Sequence, residues 1–276
     1  MNNIPPLHAA WLLKKYGLRA DKRLGQNYLQ DASALETIVD AAEIQNTDTV
    51  LEIGPGLGSL TRYLSVSARQ VFAVELDPKL VSVLQITLKS YANVRLIQGD
   101  ILNLTPKELR LPADYIVAAN IPYNITSSII RHLLESEPKP RRIVLTVQKE
   151  VAERICATPP DMSLLALSVQ VYGTPRIVGH ISADAFYPAP KVDSAVVRID
   201  ILPSPAIELQ LLDNFFQLVK AGFSQKRKTL RNSLSAGLRI STTEAESLLA
   251  KAEIDSKRRA ETLSLGEWER LSRARH

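Results

Sequence analysis

Between Thr49 and Val147 the chain alternates short apolar runs with longer amphipathic ones. Val50-Leu51-Glu52-Ile53, Gln70–Val74, Val94–Ile97, Tyr115–Ala119 and Ile143–Val147 each read as a strand. Their near-continuous apolar character is that of strands buried on both faces, as in a parallel sheet. Helices are expected between them over Ser59–Ser65, Pro78–Leu88 and Ser127–Leu134, and after the last over Lys149–Cys156. Pro78 falls in a first turn, where its missing N–H breaks no bond. Strands alternating with helices predict an α/β fold with a doubly wound parallel sheet.

The flanks differ. Leu7–Tyr16 reads as a short helix closed by Gly17. Arg19–Leu29 is polar, basic and aperiodic, which suits a surface loop. It is either a plain connector or a flap over a ligand, with Asn27 as its hydrogen-bonding group. Asp31 or Ser33 is placed to cap a helix through Ala42, with Leu35, Ile38, Val39 and Ala42 on one face. Two further strands, Arg176–Ser182 and Ser194–Ile201, bracket a proline-rich loop carrying Phe186. At Leu202-Pro203-Ser204-Pro205 the composition shifts to that of a linker. Beyond it Leu211, Leu212, Phe215, Phe216 and Val219 form one helical face. The expected division is a large α/β domain over 1–202, with 1–30 as N-terminal helix and covering loop, and a small all-helical domain over 203–276.

The chemistry is expected at the strand ends, because a doubly wound sheet binds ligands outside the carboxyl ends of its strands. The first strand runs into Gly54-Pro55-Gly56-Leu57-Gly58, whose missing side chains let the chain turn sharply and a ligand approach the backbone. Glu52, Glu75, Asp100 and Asn120 stand at four successive strand ends. An acid at a strand end is often just a helix cap, and Asp100 taken alone reads equally well as one. Glu75 lies about twenty residues past the glycine turn, where an acid binds both ribose hydroxyls. A dinucleotide site would show G-x-G-x-x-G, but Ser59 occupies the place of the third glycine. The E-x-G-x-G-x-G spelling of Glu52 to Gly58 instead resembles methyltransferases that use S-adenosylmethionine; there Glu75 would bind the ribose and Asp100 the adenine amino group. Asn120-Ile121-Pro122-Tyr123 resembles the [Asn/Asp]-x-Pro-[Tyr/Phe] motif of enzymes that methylate exocyclic amino groups. An adenine amino nitrogen is a poor nucleophile because its lone pair is delocalised into the ring. The Asn120 side-chain oxygen and the Ile121 carbonyl suit its two N–H groups, Pro122 stiffens the turn, and Tyr123 suits stacking on the base.

Composition narrows the setting. The net charge of +5 and a pI near 9.3 suit a polyanionic partner without requiring one. Residues 201–276 hold thirteen Lys/Arg against nine Asp/Glu, with Lys226, Arg227, Lys228 and Arg231 clustered. Singly these are solvated surface charges; together they suit phosphate contacts that position RNA. The single cysteine, Cys156, excludes an internal disulfide and a thiolate zinc cluster. The four histidines, His8, His132, His180 and His276, are scattered and take no catalytic role. No metal site is expected. No apolar run approaches the ~20 residues that span a membrane, and Met1 to Pro6 lacks the apolar core of a secretory leader. A cytoplasmic protein is expected.

The motifs together resemble the ribosomal RNA adenine dimethyltransferase family, in its small-subunit branch. The matching pieces are Leu24–Leu29, Glu52–Gly58, Glu75-Leu76-Asp77, Gly99-Asp100, Asn120–Tyr123, Gln148–Val151, Phe186–Ser194 and Phe223–Lys228, in order over nearly the whole chain. The resemblance implies a Rossmann-like catalytic domain with a small helical domain, and S-adenosylmethionine as cofactor. It implies a cofactor site lined by Asn27, Leu29, Gly54, Gly56, Glu75, Asp100 and Asn120, and catalysis by Asn120, Ile121, Pro122, Tyr123 and Phe186. Phe186, which by periodicity is equally a core residue, would face Tyr123 across the target base. The implied reaction is dimethylation of two adjacent adenosines near the 3′ end of small-subunit rRNA, by a monomer acting on an immature ribosomal subunit. Two other readings share the motifs: a large-subunit adenine methyltransferase of the macrolide-resistance type, and a largely non-catalytic assembly or RNA-binding factor. Tyr28 and Ile121 depart mildly from the family's usual Phe and Leu. Thr158–Leu165 departs more, so no RNA contact is carried onto it.

Overall fold

A computed structural model describes residues 4–275 of the chain. Met1 to Asn3, part of the segment read as lacking a leader core, and His276 lie outside the described residues. The order begins with α1 (Ala9–Lys15), a short strand β1 (Tyr28–Leu29) and α2 (Ala32–Ala42). The sheet region follows as β2 (Thr49–Ile53), α3 (Ser59–Ser67), β3 (Gln70–Glu75), α4 (Pro78–Thr87), β4 (Val94–Gln98), β5 (Ile116–Asn120), α5 (Thr126–Glu135) and β6 (Arg142–Gln148). Then come α6 (Lys149–Ile155), α7 (Leu164–Gln170), β7 (Gly173–Ile181), β8 (Phe186–Tyr187) and β9 (Ser194–Ile201). Four helices end the chain: α8 (Leu212–Gly222), α9 (Leu230–Leu238), α10 (Thr242–Lys251) and α11 (Leu265–Arg275).

Seven strands form one sheet in the order β4-β3-β2-β5-β6-β9-β7. β4, β3, β2, β5 and β6 run parallel, and β9 lies antiparallel to β6. β2, β3, β5 and β6 are buried over nearly their whole lengths, which is why they read as unbroken apolar runs. β3 and β5 each run one residue further than their apolar stretch, so Glu75 and Asn120 are last strand residues with fixed backbones. Among the described residues no helix is long and apolar enough to cross a membrane, and no group of three or more His, Cys, Asp or Glu is placed to hold a metal.

The chain divides into two compact units. One runs to Ala152 and includes Arg176–Ile201; the other holds Glu153–Pro175 and the residues from Leu202 onward. Division at Leu202 alone leaves out the earlier segment of the second unit, which carries α7. Ser163 caps this helix by accepting from the Ala166 N–H at 3.0 Å. Ala166 and Leu167 then pack with Phe215, Leu234 and Trp268 in the core of that unit. α10 starts with a capping box between Ser241 and Glu244.

In the first unit, a charged clamp sits at the end of the sheet where β6 begins. Arg142 of β6 and Arg198 of β9 donate to the Ala42 and Ala41 carbonyls at 2.8 and 3.0 Å, capping the end of α2. Both guanidiniums also pair with Glu43 and with Asp200. Glu43 itself sits at φ 49°, the left-handed turn that ends α2. Arg198 is buried while Glu43 is exposed and Asp200 half-buried, and Arg142 still pairs with both, so removing Arg198 loses its own bonds to them and to the Ala41 carbonyl without opening a large cavity. Arg198→Met is expected to lower unfolding free energy by about 1–3 kcal/mol, read as a lower urea midpoint at unchanged slope. An unchanged midpoint would show that the clamp contributes nothing.

Candidate active site

The sheet order determines where a ligand can sit. From β2 the chain winds outward to β3 and β4, then returns to the other side of β2 to lay down β5 and β6. The carboxyl ends of β2 and β5 therefore flank a crevice that no crossover covers. A cavity occupies it, lined by Glu52, the glycine turn, Glu75, Asp100 and the Asn120–Tyr123 segment. Leu24 to Leu29 of the N-terminal segment form its remaining wall. Asn27, Leu29, Gly54, Gly56, Glu75, Asp100, Asn120, Ile121, Pro122 and Tyr123 are thus brought together on one cavity.

The glycine turn is shaped for close approach. Gly54, Gly56 and Gly58 have φ of 67°, 62° and 91°, a region that side chains disfavour. A Cβ on Gly56 would lie 3.0 Å from the Tyr28 ring, and one on Gly58 3.1 Å from Leu88. The turn is clasped from the next strand: Glu75 accepts from the Gly56 N–H at 3.1 Å through one oxygen and from the Asp77 N–H at 2.9 Å through the other. Burial raises the Glu75 pKa, and those two amides oppose the rise.

Glu52 is the most constrained acid. It is 1% exposed, and among the described residues its Oε2 has no hydrogen-bond partner. Burial, with a smaller push from the Glu75 charge, raises its pKa to about 8, while the nearby Thr61 hydroxyl opposes the shift. The sequence shows its place at a strand end and no role for it; the local sign is an acid inside an otherwise apolar strand.

Asp100 behaves partly as a plain cap. Its Oδ1 accepts from the Leu102 N–H at 3.0 Å and its Oδ2 from Asn103 at 3.2 Å, starting the 3-10 turn Ile101–Asn103. Asn120 is oriented differently. Its Nδ2 donates to the Asn27 carbonyl at 3.0 Å, leaving Oδ1 as an acceptor with no partner among the described residues. The loop carrying Asn27 is held down as well: Gln26 donates to Asp77 at 3.2 Å and accepts from the Tyr28 hydroxyl at 2.8 Å. Tyr28 and Leu29 pair with Tyr187 and Phe186. The segment read as a surface loop thus ends in a buried strand that seals one side of the cavity. Tyr123 shares a 2.7 Å hydrogen bond between its hydroxyl and Ser194 Oγ of β9, so its ring is fixed from the far side of β6.

Phe186 is placed differently from what the resemblance implies. It does not line the cavity; it is 3% exposed and packs in the core with Leu29, Leu35 and Ile38. Side chains alternate along a strand, so the pairing that turns Phe186 inward turns Tyr187 outward, 41% exposed. Lys226, Arg227, Lys228 and Arg231 belong to the second unit. The first three are exposed, without ion pairs among the described residues, whereas Arg231 lies 3.5 Å from Glu246 and shares its charge. Gln26 and Ser194 were within matched motifs, but their contacts span distant parts of the chain.

With this geometry in view, the likeness to known proteins is specific. A model of the family described as ribosomal RNA adenine dimethylase matches residues 17–272. Ribosomal RNA small subunit methyltransferase A of Dehalococcoides mccartyi strain CBDB1 is 48% identical over 261 residues, covering 94% of this chain and 90% of that protein. The protein of the same name from Clostridium botulinum strain Kyoto / Type A2 is 42% identical over 264 residues, covering 95% and 96%. Among solved structures, a dimethyladenosine transferase from Plasmodium falciparum aligns with TM-score 0.76 at 27% identity, over 88% of this chain and 95% of that one. The 23S rRNA methyltransferase ErmE aligns with TM-score 0.73 at 29% identity, over 90% and 99%.

The state of Glu52 has a measurable consequence. Its folded pKa, about 8, lies above the ordinary value of 4.5. Between those values the folded chain holds a proton that the unfolded chain releases, so this group's contribution to stability falls as pH rises through that window. Relative to Glu52→Gln, the ligand-free protein should lose on the order of 5 °C of melting temperature between pH 5 and pH 8.5. Parallel pH profiles for the two proteins would contradict the buried, neutral carboxyl.

Proposed function

The chain belongs to the ribosomal RNA adenine dimethylase family, and we propose that it transfers methyl groups from S-adenosylmethionine to the N6 amino groups of two adjacent adenosines near the 3′ end of small-subunit rRNA, giving dimethyladenosines. It does so as a cytoplasmic monomer acting on an immature ribosomal subunit. The observation that carries the reading is Asn120: its amide is turned by the Asn27 carbonyl so that its oxygen, unpartnered among the described residues, remains at the strand end beside the cavity.

The residues present fit the cofactor. The glycine turn offers bare backbone for close approach, and Glu75 presents a carboxylate for ribose hydroxyls. Asp100 keeps oxygen lone pairs for an adenine amino group. The orphaned Glu52 oxygen suits a cationic amine, which would draw the proton from its carboxyl. S-adenosylmethionine supplies an electrophilic methyl group on a positively charged sulfur. The chain's own work is positioning. Asn120 Oδ1 and the Ile121 carbonyl accept the two N–H groups of the target amine, which pulls its nitrogen out of conjugation with the ring and aims its lone pair. Tyr123, anchored by Ser194, stacks on the base. Pro122 holds the turn that presents both acceptors. Phe186 backs the Leu29 wall from the core. Lys226, Arg227 and Lys228, with a smaller contribution from Arg231, neutralise phosphates.

The test is methyl transfer from labelled cofactor to small subunits lacking the modification, with identification of the product nucleoside. Dimethyladenosine at two neighbouring positions is expected. Asn120→Ala should lower the rate by about 10²–10³ with its melting temperature held. Unchanged transfer by that variant would overturn the role of Asn120. Transfer to large-subunit RNA instead would reassign the substrate, and subunit binding without transfer would reassign the chain to assembly.

A further inference from the structure

The N-terminal segment carries charge for which the cavity has no use. Residues 9–27 hold Lys14, Lys15, Arg19, Lys22 and Arg23 against a single carboxylate, Asp21. This excess of four positive charges in nineteen residues matches that of the whole 201–276 region. All five cations are exposed. Arg23 pairs with Asp21 at 2.9 Å; the other four have no ion pair among the described residues. A solvated helix face ordinarily interleaves both signs, yet no acid occurs from Ala9 to Ala20.

The packing of α1 explains what it displays. Ala9, Leu12 and Leu13 face inward against Tyr28, Leu57, Leu80 and Val83. The same helical spacing directs Trp11, Lys14 and Lys15 outward. Trp11 is 57% exposed, so the core does not claim it. Lys15 Nζ lies 4.7 Å from the centre of the Trp11 ring and 5.4 Å from that of Tyr16. An indole in solvent beside unpaired ammonium groups is the combination that single-stranded nucleic acid uses, the ring stacking on a base and the cations following the backbone.

This surface is continuous with the cavity. Arg23 is followed directly by Leu24, the first residue of the cavity wall. The bonds from Gln26 to Asp77 and from Asn120 to Asn27 fix that junction to the sheet. We propose that α1 and the loop from Arg19 to Arg23 form a second RNA-contact surface for the unpaired strand flanking the target adenosine. Trp11 stacks on one flanking base, and Lys14, Lys15, Arg19 and Lys22 neutralise its phosphates. This rests on the cavity being the site of an adenosine in RNA.

The experiment compares the full-length protein with Trp11→Ala, Trp11→Phe and the double variant Lys14→Ala/Lys15→Ala. Steady-state methyl transfer to unmodified small subunits is followed over a range of salt, with melting temperatures as the folding control. Trp11→Ala should raise KM for the subunit about tenfold, leave kcat and KM for the cofactor within twofold, and be largely rescued by Trp11→Phe. The double lysine variant should reduce the slope of log affinity against log salt by about 1.4, for two phosphates lost. An unchanged subunit KM in Trp11→Ala, beside an active parent, would overturn this surface and leave the cavity reading intact. A raised KM with an unchanged salt slope in the lysine variant would indicate a protein partner and overturn the RNA assignment. No transfer by the parent would overturn both readings.

Discussion

Everything at the site depends on the reversal of winding between β2 and β5. A parallel sheet built outward in both directions from its middle must leave one place where neighbouring strand ends are not bridged by a crossover. Here that place is flanked by Glu52 and the glycine turn on one side and Asn120 on the other. The glycine turn, the buried acids and the N-terminal cover all answer to that gap. The turn needs positive φ to leave β2 without filling the crevice. Glu75 then holds the turn from β3 through the Gly56 amide. The segment from Leu24 to Leu29 closes the open side and is tied back by Asp77, by Asn120 and by its short pairing with β8.

The same gap concentrates unusual electrostatics. Two carboxyl groups, Glu52 and Glu75, are buried at adjacent strand ends, 1% and 6% exposed. Glu75 finds two backbone amides; Glu52 has none for its Oε2 and stays protonated near neutrality. Such a pair is poorly satisfied among the described residues, and its chemistry suits a ligand that brings hydrogen-bond donors and positive charge. The opposite end of the sheet is fastened separately, by the Arg142–Arg198 clamp on α2.

The strands of the parallel sheet were legible because burial on both faces leaves a continuous apolar run, and the strand-end residues Glu75, Asp100 and Asn120 because the fold class says where to look. Tertiary pairings left no such signature. Nothing local to Tyr123 points to Ser194, seventy-one positions away, nor anything near Gln26 to Asp77. Phe186 and Tyr187 are adjacent aromatic residues, and which one turns inward depends on pairing with Tyr28 and Leu29 in a two-residue strand too short to show alternation. α7 is a seven-residue helix whose stability comes from packing with residues beyond Leu202, so local periodicity could not reveal it, nor the discontinuous make-up of the second unit.

The most direct measurement is a crystal structure of this protein with S-adenosylhomocysteine, the demethylated cofactor. The ribose hydroxyls should lie on Glu75, the adenine amino group on Asp100, and the amino-acid ammonium beside Glu52, with Asn120 Oδ1 left facing open space for a base. A nucleoside bound away from the β2 and β5 strand ends, or one whose adenine occupies the Asn120 oxygen, would contradict the division of the cavity into a cofactor half and a target half.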